Sequence, residues 1–140
     1  MITGKFPSLR LRRSRKNDWS RRLIEENNLS ANDFILPIFL IDGKNKKQPI
    51  QSMPGVYRYT LDKLNHQIEK AIKNKLPMVA LFPYIEKKKK NSLGTEALNE
   101  DNLVCKAIQL IKKRYKNQIG IMCDVALDPY TSHGHDGLIK

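Results

Sequence analysis

Three continuous apolar runs, separated by two amphipathic stretches, set the pattern of this chain. The runs are Phe34 to Ile41 (FILPIFLI), Met78 to Ile85 (MVALFPYI) and Ile119 to about Leu127. A short apolar run without polar alternation suits a strand buried on both faces, as in a parallel sheet. Between the first two runs, Leu61, Leu64, Ile68, Ala71 and Ile72 recur at helical spacing over Thr60 to Asn74. Between the second and third, Leu103, Val104, Ala107, Ile108, Ile111 and Tyr115 do the same. Thr60 is placed to cap the first helix and Asp101 or Asn99 the second, while Lys112, Lys113 and Arg114 suit the negative C-terminal end of the second. Pro37 argues against a central place for the first strand because it lacks a ladder donor; Pro83 lies near the end of its strand. The alternation β-α-β-α-β predicts parallel pairing through right-handed crossovers.

The flanks differ. Residues 1–17 have no apolar periodicity and are expected to form an extended arm, followed by a short helix with Trp19, Leu23 and Ile24 on one side and Asp18 as its cap. The stretch from Gly43 to Gln51 is a polar, lysine-rich loop, and Ser52 to Val56 a turn. Glu86 to Thr95 holds the lysine run and Gly94, and suits a solvated mobile loop or, more specifically, a lid over the strand ends. Residues 1–30 therefore form an arm with a short helix, and residues 31–140 the folded part. Three parallel strands leave sheet edges open, and an α/β barrel takes roughly 250 residues. The pattern predicts about three of the eight strand-helix units of such a barrel, with a complete small open sheet as the alternative.

Composition adds a bound and a question. With 40% apolar and 29% charged residues the chain should be globular. No run approaches the ~18 apolar residues of a membrane span, and the basic N-terminus lacks the apolar segment of a secretory signal. A cytoplasmic protein is expected, with Cys105 and Cys123 as buried reduced thiols rather than a disulfide framework. The net charge of +12 raises nucleic acid or anionic substrates as partners. Arg10, Arg12, Arg13, Arg15, Lys16, Arg21 and Arg22 concentrate it near the start, and Lys87 to Lys90 form a second run. The aromatic residues do not interleave with the basic cluster as stacking platforms would, which counts against a nucleic-acid partner.

The chemistry concentrates at the end. Asp124 to Gly137 reads DVALDPYTSHGHDG and follows the third apolar run directly. Polar groups leaving the C-terminal end of a buried strand are where α/β folds place their sites. If the strand continues to Asp128, then Asp124, Ala126 and Asp128 share one face, and Cys123, Val125 and Leu127 share an apolar, helix-covered one. Carboxylates are hard oxygen ligands suited to magnesium. Asp124, Asp128 and Asp136 are thus candidate metal ligands, with His133 and His135 as further possible donors. An ordinary polar loop after a strand is the plain alternative.

Several motifs together carry a resemblance. SMPGV at 52–56, LFP at 81–83, G-x-E-A-x-N at 94–99, DVALDPYTSHGHDG at 124–137, and the arm LRLRRSR at 9–15 with Trp19 and EENNLS resemble porphobilinogen synthase, also called delta-aminolevulinic acid dehydratase. The resemblance implies a TIM-barrel lyase that condenses two molecules of 5-aminolevulinate into porphobilinogen, towards haem and other tetrapyrroles. It implies a homo-octamer in which the N-terminal arm wraps a neighbouring subunit, which gives the arginines a role without nucleic acid. The family's two Schiff-base lysines lie on later strands and no lysine here matches them, so this chain alone is expected to be inactive. Zinc-dependent members carry three cysteines at the positions of Ala126, Asp128 and Asp136. Their absence implies the aspartate-rich, magnesium-type branch and little zinc binding. Asp124 matches a residue shared by both branches and is expected to line the active site. Two rivals stand beside this: a basic RNA-associated module, and a stand-alone metal hydrolase using Asp124, Asp128 and Asp136.

Overall fold

The computed structural model describes residues 4–139. Two compact units divide the chain, one up to Ser30 and one from Ala31. The described residues of the first hold a 3-10 turn at Arg13–Arg15 and helix α1 (Asp18–Leu23). Asn17, not Asp18, occupies the cap position. Asp18 instead sits in the first turn, where the helix end is positive, and pairs with Arg22 at 3.1 Å. Ser20 Oγ donates to the Asn17 carbonyl at 2.9 Å, and the Arg21 guanidinium donates to the Arg15 carbonyl at 3.1 Å. Trp19 is 63% exposed and Leu23 78%, so the apolar side of α1 lies open.

The second unit is one sheet covered by two helices. Its strands are β1 (Ile35–Ile41), β2 (Lys47–Pro49), β3 (Tyr57–Tyr59), β4 (Met78–Tyr84) and β5 (Gly120–Cys123), in the spatial order β2-β3-β1-β4-β5. Helix α2 (Leu61–Lys73) connects β3 to β4, and α3 (Leu103–Tyr115) connects β4 to β5. β1 pairs in parallel with β3 and β4, and β4 with β5; only β2 runs antiparallel, against β3. The three long apolar runs are therefore parallel neighbours. β2 lies in the stretch expected to be a loop, and β3 between the expected turn at Ser52 to Val56 and the expected helix, because three residues, one set of them Lys-Gln-Pro, show no periodicity.

β1 is central despite Pro37. β3 pairs with it only at Phe39 and Leu40, so alongside Pro37 the strand has one partner, β4. Pro83 in β4 is placed alike, since β5 pairs only from Met78 to Leu81. Each proline thus occupies a strand segment with a single neighbour, where a missing donor is tolerated. β5 ends at Cys123, not at Leu127 or Asp128. The expected sharing of a strand face by Asp124, Ala126 and Asp128 does not occur, and neither does the covered face opposite. Val125 is 101% exposed and Leu127 40%.

Alternation sorts the sheet into two faces. Ile38 and Leu40 of β1 and Val79 and Leu81 of β4 point to the helices and meet Leu64, Ile68 and Ala71 of α2 and Leu103, Ala107, Ile111 and Tyr115 of α3. These residues are 6% exposed or less, and full burial of each large apolar side chain stabilises by about 1.5–3 kcal/mol. Tyr115 also ties the helices: its hydroxyl lies 3.1 Å from Glu69 Oε1 and 3.2 Å from Asn65 Oδ1, both on α2. Burial, and then the Glu69 carboxylate, push that hydroxyl's pKa above the usual tyrosine value. The other face carries neither α2 nor α3. Ile35 is 43% exposed, Tyr84 44% and Met122 44%, with Phe39 stacked on Phe82 at 5.6 Å between them, while Ile41 and Ala80 are buried.

The caps settle differently from the expectation. Asn102 caps α3, its Oδ1 accepting from the Cys105 N–H at 2.9 Å; Asn99 instead holds the Asp101 N–H at 3.0 Å. Thr60 does stand at the cap of α2, but its hydroxyl is turned to the Lys46 backbone, accepting from the N–H at 3.0 Å and lying 3.2 Å from the carbonyl. It is fully buried there and pins the β1–β2 loop to the start of α2.

Candidate active site at the strand ends

Parallel register brings the C-terminal ends of β1, β4 and β5 to one edge of the sheet. Asp42 follows β1, Glu86 comes two residues after β4, and Asp124 follows β5. The loop after β4 folds back over this edge. Lys89 Nζ lies 2.8 Å from Asp42 Oδ2 and 3.8 Å from Glu96 Oε1, while Lys88 pairs with Glu86 at 2.7 Å. The hydrogen bond to Asp42 pushes the Lys89 pKa above its usual value, against the opposing effect of burial. A raised folded pKa means this pair's contribution is complete at neutral pH. It is lost only as the pH climbs beyond the ordinary lysine range and through that higher value. Lys89 is therefore charged under working conditions, and a protonated amine is no nucleophile.

The same loop is bonded to the Asp/His loop. The Asn91 carbonyl accepts from the Ser132 N–H at 2.9 Å, and Asn91 and Thr131 form a parallel bridge. Asn91 Oδ1 accepts from the N–H groups of Leu93 and Thr95 at 3.0 and 3.2 Å. His133 Nε2 lies 3.2 Å from the Ser92 carbonyl, and His133 Nδ1 accepts from the His135 N–H at 3.3 Å. With Nδ1 accepting, the proton of the neutral ring belongs on Nε2, where it donates to Ser92. The 86–95 segment is thus fastened at both the β1 end and the Asp/His loop.

Within the Asp/His loop Tyr130 and Thr131 are buried, and one oxygen of one carboxylate is held by the backbone. Thr131, 2% exposed, has its Oγ1 2.9 Å from the His135 carbonyl. Asp136 Oδ1 accepts from the Leu127 N–H at 2.7 Å and the Asp128 N–H at 3.1 Å. Tyr130 and Thr131 both donate their N–H groups to the Leu127 carbonyl, at 2.8 and 3.1 Å. Gly94 sits beneath with φ +62°, where a Cβ would stand 3.3 Å from Thr131 Cγ2 and 3.7 Å from Leu127 Cδ2. A side chain in this left-handed conformation costs about 1–2 kcal/mol before any clash. Gly94→Val is accordingly expected to lower stability by at least ~1–2 kcal/mol in denaturant unfolding; an unchanged midpoint would mean that the backbone at Gly94 relaxes freely.

Asp124, Asp128 and Asp136 do not converge. Among the described residues no three His, Cys, Asp or Glu side chains gather as a metal-holding group. All three aspartates are exposed; the carboxylates of Asp124 and Asp128 accept none of the loop's hydrogen bonds, while Asp136 Oδ1 is turned onto the backbone. The two thiols are half-buried rather than buried, and unpaired. Burial first, and then neighbouring Cys105, push the Cys123 thiol up, away from the thiolate that a soft metal needs. Sequence reasoning left out Asp42, Asn91 and Thr131. Asp42 carried a usable signal, an aspartate directly after an apolar run, like Asp124. Lys89 carried none, as one of four consecutive lysines.

Comparison with known proteins gives this edge its context. The family model for delta-aminolevulinic acid dehydratase matches residues 8–140. The delta-aminolevulinic acid dehydratase of Bradyrhizobium diazoefficiens is 52% identical over 132 residues, covering 94% of this chain and 37% of the relative. That of Chlamydia pneumoniae is 42% identical, covering 94% of this chain and 39% of the relative. The crystal structure of the Toxoplasma gondii delta-aminolevulinic acid dehydratase, in complex with the reaction product porphobilinogen, superposes with a TM-score of 0.83 at 35% identity, over 94% of this chain and 37% of that one. The chain thus spans under two fifths of these relatives' length. With nearly its whole length matched by the family model, this chain belongs to the delta-aminolevulinic acid dehydratase family.

Proposed function

We propose that this chain is the N-terminal part of a porphobilinogen synthase, a lyase that condenses two molecules of 5-aminolevulinate to porphobilinogen with loss of water, in tetrapyrrole and haem biosynthesis. The observation that carries the proposal is the Asp124–Gly137 loop at the C-terminal edge of a parallel sheet whose second face is apolar, without a helix of its own and open at Ile35, Tyr84 and Met122. Such a face is what the first strands of a (β/α)8 barrel present before the remaining strands close around it. In this account the chain supplies a wall of the pocket and the later strands supply the lysines that form Schiff bases with the substrates. Asp124 lines the pocket, and Lys89 orders the loop over it as a charged partner of Asp42.

The magnesium-type assignment rests on donor chemistry. Positions 126, 128 and 136 hold alanine and two aspartates, which do not suit zinc and do suit a hard cation. Among the described residues the carboxylates do not gather into a ligand set. We place the enzyme in the cytoplasm; among the described residues no helix is long and apolar enough to cross a membrane. The exposed Trp19 and Leu23 and the arginine cluster suit an arm that is covered by a second copy of the protein. Deleting residues 1–17 from the complete protein is expected to lower its oligomeric state in sedimentation, and an unchanged octamer would remove that role from the arm.

The direct test supplies 5-aminolevulinate to the complete protein and measures porphobilinogen colorimetrically. Steady formation is expected. Failure, with RNA binding or metal-dependent ester hydrolysis in its place, would favour one of the rival classes.

A further inference from the structure

The geometry points to Asp136 as a positioning residue: we propose that its carboxylate closes the 127–136 loop in the place of a cation and so sets the direction of Asp128. This inference rests on the porphobilinogen synthase reading of the loop. One oxygen, Asp136 Oδ1, accepts from two successive N–H groups, those of Leu127 at 2.7 Å and Asp128 at 3.1 Å. These bonds join residues nine and eight positions apart, and so close the loop at its neck. Inside the neck, Thr131 Oγ1 holds the His135 carbonyl at 2.9 Å, and the Leu127 carbonyl accepts from Tyr130 and Thr131.

Asp136 Oδ1 already accepts from two backbone donors, which leaves a cation only the other oxygen of that carboxylate. The three aspartates do not gather into a ligand set around it. Asp136 Oδ1 is thus committed to the loop's own backbone. The closed neck fixes the backbone of Leu127 and Asp128, and the Asp128 side chain is exposed. What position 136 must supply is an acceptor oxygen; the negative charge is secondary.

Asp136→Asn and Asp136→Ala in the complete protein separate these roles, since asparagine keeps the oxygen and loses the charge. Hydrogen exchange would be followed in peptides covering Leu127 and Asp128, with and without magnesium, alongside kcat and KM for 5-aminolevulinate. Alanine is expected to speed exchange there about tenfold and to raise KM more than it lowers kcat, while asparagine stays within about threefold of wild type on both. Asparagine behaving like alanine would overturn the proposal, as would magnesium slowing wild-type exchange at these amides by tenfold. Unchanged exchange in both variants would also overturn it. Because exchange needs no turnover, an inactive protein with the expected exchange pattern would sink the functional reading and leave the positioning role standing.

Discussion

Given 5-aminolevulinate and magnesium, the 140-residue chain by itself will form no porphobilinogen. Two independent reasons lead there. The sheet has one face covered by α2 and α3, while on the other Ile35, Tyr84 and Met122 remain over 40% exposed, so the pocket has no far wall. A Schiff-base lysine needs a neutral amine in a dry site. Lys89, the lysine drawn into the strand-end edge, is held by Asp42 at 2.8 Å with its pKa pushed up, the opposite of that requirement. The assay is a colorimetric porphobilinogen measurement on the purified chain, with the complete protein as its positive control. Turnover by the chain alone would show that the reactive amine lies among these residues after all.

Ile68→Ala will lower stability by about 2–5 kcal/mol, whereas Val125→Ala will change it by no more than ~0.5 kcal/mol. Ile68 is fully buried between α2 and the sheet, in contact with the β1, β4 and α3 core. Truncating it leaves a cavity in the layer that holds the three parallel strands together. Val125 is as apolar in sequence, yet 101% exposed beyond the end of β5. Side-by-side denaturant unfolding of the complete protein with each substitution decides this; a large loss at Val125 would mean that its surroundings in the complete protein bury it.

That contrast marks where the sequence was legible. The core followed from periodicity: Leu64, Ile68 and Ala71, and Ala107 and Ile111, all lie where helical spacing put them. The strands β1 and β4 followed from unbroken apolar runs. Beyond Cys123 the pattern misled, because Val125 and Leu127 continue a strand-like alternation after pairing with β4 has ended. Alternation records side-chain polarity, and strand length is set by the neighbour's hydrogen bonds. The site was legible as a stretch of chain and hidden as an arrangement. Three aspartates in fourteen residues suggested a ligand set, but whether a carboxylate turns outward or onto its own backbone depends on loop closure that no spacing encodes. The ties of Asn91 to Ser132 and of Lys89 to Asp42 join residues 41 and 47 positions apart, and residue type gave no hint of either pairing.

The central claim is that these residues form one wall of a porphobilinogen synthase whose reactive lysines lie elsewhere in the barrel. Its most direct test is to incubate the complete protein with labelled 5-aminolevulinate, reduce with borohydride and map the labelled lysines by peptide sequencing. The account predicts label on lysines outside residues 1–140 and on none within them. Stoichiometric label on Lys89, or on any other lysine of this chain, would contradict it.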